Sequence, residues 1–118
     1  MIYGEVYLNR AFWDSHKGEA SASLAIFNAN LGDLNAARNY FSRTERYLPA
    51  NASELNCFYR NYYYLNRVRA HMAYFEEDYE TAEFRAQAAV VALRKQRRSK
   101  GQCTGQSERW RISELGIL

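Results

Sequence analysis

Leu31-Gly32-Asp33-Leu34-Asn35-Ala36-Ala37 and, further along, Glu76-Glu77-Asp78-Tyr79-Glu80-Thr81-Ala82 are the two stretches that decide the fold. Aligning Asp33 with Asp78 sets an offset of 45 residues. Leu34, Ala37, Phe41, Thr44 and Leu48 then fall on Tyr79, Ala82, Ala86, Ala89 and Leu93. Those positions step by three and four residues, which is one stripe of an α-helix. The same seam at the same register in two helices marks an internal repeat, and both stripes are predicted to be buried. Ahead of each lies a partner stripe: Ala20, Leu24, Phe27 and Leu31 in the first unit, Leu65, Val68, Met72 and Phe75 in the second.

Only Gly32-Asp33 or Glu77-Asp78 stands between the helices of each pair. So short a connection folds the two helices into an antiparallel hairpin. Gly32 suits the left-handed conformation that ends a helix, and Asp33 and Asp78 suit the cap of the next one. Glu77 takes the place of the glycine in the second turn, which predicts a less relaxed turn there. Ala37 and Ala82 leave room for close helix approach. Pro49 closes the first hairpin. No breaker follows between Ala52 and Glu76, which predicts one helix of about seven turns and explains an offset of this length.

Residues 18–51 resemble one tetratricopeptide repeat, through Leu24, Gly32-Asp33-Leu34, Ala37, Tyr40-Phe41 and Pro49. Residues 63–94 resemble a second, through Ala70, Asp78-Tyr79, Ala82 and Ala89, with the glycine and the proline missing. The family's large aromatic near the start of its first helix is absent, its place falling on Ser21 and Asn66. The resemblance implies an all-α fold of antiparallel hairpins stacked as a short α-solenoid. It also implies a concave groove that binds proteins or peptides without a cofactor. The chaperone-tail carboxylate clamp of the family is not implied, because Ala22 and Ile26 occupy two of its places.

The ends are read from local signals. Ile2, Tyr3, Val6, Tyr7, Arg10, Ala11 and Trp13 suggest a helix whose apolar side turns to the first hairpin, with Gly18 marking a break and a strand around Glu5 to Leu8 as the alternative. Residues 101–107 read as a loop. Residues 108–118, with Trp110, Ile112 and Leu115, read as a capping helix that Ser107 would start. All 118 residues are expected in one domain.

A hydrophobic content of 47% supports a real core. Sixteen Lys and Arg against 13 Asp and Glu leave +3, too little to announce a nucleic-acid or membrane protein. No stretch approaches the ~20 apolar residues of a membrane span, and no secretory signal is recognisable. A cytoplasmic chain follows, in which Cys57 and Cys103 are expected as reduced thiols.

Catalysis finds little support. His16 and His71 lie at metal spacing from no other His or Cys, so no metal site is expected. Cys57 and His71 are about 21 Å apart along one helix, too far for a thiolate–imidazole pair. No phosphate-binding glycine loop is present. The chain reads as a non-enzyme.

Two surfaces remain. Arg60, Tyr63, Arg67, His71 and Tyr74 gather on one side of the long helix as a mixed cationic and aromatic face, suited to an acidic or aromatic-containing peptide. Arg94, Lys95, Arg97, Arg98 and Lys100 form a basic run at a helix C-terminus, where cations offset the helix dipole. The run is also the candidate contact for nucleic acid or an acidic partner. A protein- or peptide-binding adaptor, chaperone or regulator is the leading reading, and a nucleic-acid-associated helical protein the alternative. Homo-oligomerisation stays open.

Overall fold

The computed structural model describes residues 3–98 and Cys103, with side chains from Asp14 onward. The described residues form four α-helices and no strand: α1 Tyr3–Asn30, α2 Leu34–Tyr47, α3 Leu55–Phe75 and α4 Tyr79–Arg98. The all-α class is therefore as the sequence predicts. The apolar face of residues 2–13, the loop after Lys100 apart from Cys103, and the capping helix from 108 lie outside what is described.

Both turns are built alike. Gly32 N–H donates to Ala29 and Asp33 N–H to Asn28, and Gly32 sits at φ +83°. One unit later, Glu77 N–H donates to Tyr74 and Asp78 N–H to Ala73, with Glu77 at φ +65°. This is the double bond pattern that satisfies the last carbonyls of a helix, and it needs a left-handed residue at its penultimate position. Asp33 Oδ1 then accepts from Ala36 N–H at 3.0 Å and Asp78 Oδ1 from Thr81 N–H at 3.2 Å, capping α2 and α4.

Gly18 does not break α1, and residues 5–8 are helical rather than a strand. The glycine serves packing: a Cβ there would land within 3.0 Å of three Leu48 side-chain carbons. Leu48, just past α2, is fully buried against that gap. Gly18 heads a seam of small residues, Ala22, Ala25 and Ala29, all buried. Ala22 and Ala25 meet Val68 of α3, and Ile26, Tyr40, Phe41, Tyr64 and Met72 pack around them.

This seam corrects the expected stripe on α1. At 3.6 residues per turn, positions 20, 24, 27 and 31 lie nearly opposite positions 18, 22, 25 and 29. Leu24, Phe27 and Leu31 are accordingly 43%, 59% and 67% exposed, and Ala20 is exposed too. The second-helix stripe holds better. Ala37, Thr44, Leu48 and Ala89 are buried, while Leu34, Phe41, Ala82 and Leu93 are half-buried. Tyr79 and Ala86 face solvent, because α4 has α3 on one side only. On α3, Leu65 and Val68 are buried, Met72 is half-buried and Phe75 emerges at the helix end.

Directions follow from paired contacts. Arg60 bonds Ser15 and His71 meets Asn30, so α3 runs parallel to α1. Arg69 meets Glu45 and Arg38 meets Glu76, so α2 and α3 are antiparallel. Tyr59 lies under Lys95, Asn66 beside Arg85 and Tyr74 against Tyr79, so α3 and α4 are antiparallel as well. α1 packs on α2 and α3, and α3 on all three others, while α4 touches neither α1 nor α2.

Three substitutions test these packing and turn assignments. Leu48→Ala should cost about 2–5 kcal/mol. Gly18→Ala should destabilise the parent, where overpacking at ~1–3 kcal/mol outweighs a helix-propensity gain of ~1 kcal/mol. In the Leu48→Ala background the same change should stabilise, a reversal of sign readable by denaturant unfolding. Glu77→Gly should raise stability by up to about 1 kcal/mol, since left-handed strain of ~1–2 kcal/mol exceeds the added chain entropy of glycine. A loss of stability on that change would contradict the turn described.

Candidate interaction surface

The polar residues that enter the core are what hold α3 in register. Asn61, fully buried, donates from Nδ2 to the Pro49 carbonyl at 2.8 Å, and its Oδ1 accepts from Arg60 Nε at 2.9 Å and Nη2 at 2.8 Å. Asn66, also fully buried, donates to the Tyr62 carbonyl, and its Oδ1 accepts from Arg85 Nη1 at 3.1 Å. Thr44 returns its hydroxyl to the Tyr40 carbonyl. Buried amides of this kind cost stability unless bonded, and these are bonded, so they fix the height of α3 against the α2–α3 loop and against α4.

Arg60 belongs to that framework. Its Nη1 also donates to Ser15 Oγ at 2.9 Å, so the guanidinium ties α3 to α1. Of the five residues expected to meet a partner, Arg60 and His71 lean toward α1. Tyr63, Arg67 and Tyr74 stand further out, with Arg67 and Tyr74 exposed and Tyr63 half-buried. The Arg67 guanidinium sits 6.0 Å from the Tyr63 ring centroid, at the outer limit of a cation–π contact. Tyr74 packs edge-on to Phe75 and to Tyr79.

α1 contributes to the same side. His71 Nδ1 and Asn30 Oδ1 are 3.3 Å apart; with the amide oxygen as acceptor, Nδ1 carries the hydrogen. Phe27 lies one turn before Asn30, and Tyr74 one turn after His71. Phe27 is exposed on the side of α1 away from the small-residue seam, and Tyr63, Arg67 and Tyr74 lie on the side of α3 next to the His71–Asn30 contact. Tyr64 has its phenol pushed above the usual range by burial and then by the Glu19 carboxylate. The sequence reading missed Phe27 as a surface residue because it placed α1 in the wrong rotation.

The basic run takes its place at the end of α4. Arg94, Lys95, Arg97 and Arg98 are exposed, and the Lys95 ammonium lies 5.8 Å from the Tyr59 ring centroid. Lys100 lies outside the described residues. Four cations in the last turns of a helix are what its dipole favours. No helix among the described residues is long and apolar enough to cross a membrane.

The cysteines correct the sequence reading. Cys57 and Cys103 are joined as a disulfide rather than held as separate thiols, with Cα atoms 4.7 Å apart. It fastens residue 103, beyond α4, to the first turn of α3.

No protein-family model, no curated protein and no solved structure matches this chain.

His71 gives this surface a pH signature. Burial, and then the Arg67 charge, hold its imidazole below the ordinary value. The unfolded chain therefore takes up the proton first as pH falls, and the stability carried by the neutral ring is present above about pH 6.5 and lost below it. Thermal unfolding should show the parent losing more between about pH 7.5 and pH 5 than His71→Gln, which has no titrating ring. Parallel pH profiles would show that His71 carries no such linkage.

Proposed function

We propose that the chain is a tetratricopeptide-like module that binds a protein or peptide across the shared face of α1 and α3. The observation that carries this reading is the strip of exposed Arg67 and Tyr74 with half-buried Tyr63 on α3, together with the exposed Phe27 of α1. Aromatic and Arg side chains concentrate at the centres of protein interfaces, where they bring large contact area with few rotatable bonds. Parallel first helices, second helices that each run antiparallel to α3, and two turns with the same hydrogen-bond pattern support a two-hairpin stack of the short solenoid kind. The partner is a segment with a carboxylate for Arg67 and apolar or aromatic side chains for Phe27 and Tyr74. Arg60 and His71 position α3 rather than make the contact, and the basic run stays outside the proposal.

A peptide selected from a random library on the intact chain tests this. Arg67→Glu with Tyr74→Ala should weaken its affinity at least about thirtyfold, the sum of two interface residues at over 1 kcal/mol each, with the helical circular dichroism unchanged. Undiminished affinity in that folded variant would place the site elsewhere.

A further inference from the structure

The three residues around the disulfide form a cluster that the sequence, with its cysteines 46 residues apart, does not reveal. Glu54, the N-cap residue of α3, lies one turn ahead of Cys57. Its Oε2 stands 3.5 Å from Cys57 Sγ. A disulfide sulfur has no hydrogen to donate, so a carboxylate there is a contact and not a hydrogen bond. The two sulfurs and a Glu54 oxygen all lie within 4.8 Å of one another. Cys57 is fully buried, whereas Glu54 and Cys103 are half-buried, so the cluster is open on one side.

We propose that the reduced form of this cluster is a binding site for a thiophilic divalent cation of the zinc class. Cys57 and Cys103 act as thiolate ligands, Glu54 as a carboxylate ligand, and water takes the fourth position. Zinc bonds run about 2.3 Å to sulfur and about 2.0–2.2 Å to a carboxylate oxygen, so a tetrahedral ion sets sulfur and oxygen about 3.5 Å apart. Glu54 and Cys57 already stand at that spacing. The two sulfurs need about 3.8 Å, which unlinked side chains reach by small rotations. The first turn of α3 supplies the positive end of a helix dipole, which favours thiolate at Cys57.

The chemistry balances in two steps. A dithiol reductant delivers two electrons and two protons to the disulfide and itself becomes a disulfide. The cation then displaces the two thiol protons, so one divalent ion enters and two protons leave. The same sulfurs serve as a covalent link or as ligands, never both, which makes the site redox-gated.

Cobalt(II) titration of the full chain, reduced by a phosphine that does not compete as a thiol, tests the proposal. One equivalent should bind with sulfur-to-cobalt charge-transfer absorption and tetrahedral d–d bands, displaced by zinc(II). The oxidised chain should show neither. Cys103→Ser, at a half-buried position beyond α4 that need not disturb the core, should weaken binding and reduce the charge-transfer absorption to that of the single remaining thiolate, Cys57. Glu54→Gln should weaken binding by at least about tenfold, no less than the loss of an outer-shell partner costs. Absence of the band in the reduced parent, or equal affinity in Cys103→Ser or Glu54→Gln, would overturn the site.

Discussion

Close approach of α1 to its neighbours is the constraint from which the rest of the molecule follows. It is possible because the side of α1 at these contacts carries a seam of Gly18, Ala22, Ala25 and Ala29. Leu48 fills the space left by the missing Cβ of Gly18, and Val68 fills the space over Ala22 and Ala25. Once those small residues face inward, the helix repeat obliges Leu24, Phe27 and Leu31 to face outward. An apolar exterior on α1 is thus the geometric consequence of a small-residue interior.

α3 is the second organising element, because it is the one helix that contacts each of the others. Its buried side mixes Leu65 and Val68 with Asn61 and Asn66. The apolar residues make the contact favourable, and the amides make it particular. Asn61 has its bonds only if the loop at Pro49 is at the right height, and Asn66 only if Arg85 arrives from α4. A core held in this way resists sliding along the helix axis, where an all-leucine seam would tolerate it. The opposite side of α3 is thereby presented in a fixed position, which an interaction surface requires.

The turns, the caps and the hairpin pairing were legible because they rest on local chemistry. Asp33 and Asp78 cap as their positions demand, and Gly32 and Glu77 end their helices in the same way. The rotation of α1 was not legible, since a stripe of Ala20, Leu24, Phe27 and Leu31 is by composition a better core candidate than a run of glycine and alanine. Only the depth at which Leu48 enters shows which stripe wins. Asn61 and Asn66 were missed for a related reason: a polar side chain declares itself buried only when its partners are known. Tyr63, Arg67 and Tyr74 were legible as a face because that face depends on helix period alone. Arg60 lies on the same stripe, yet its use inside the fold depends on Ser15 and Asn61, which the stripe does not show. The Cys57–Cys103 link joins residues that sequence distance hides.

The proposed interaction surface depends on how α1 and α3 are rotated against each other. The most direct measurement is a set of nuclear Overhauser contacts in the isotope-labelled chain. Strong contacts are predicted between the Gly18 Hα protons and the Leu48 methyls, and between the Val68 methyls and those of Ala22 and Ala25, with the Leu24 and Leu31 methyls free of contacts to α2 and α3. Contacts from Leu24 and Leu31 to Tyr40, Phe41 or Val68, with none at Gly18, would show α1 turned the other way and contradict the account.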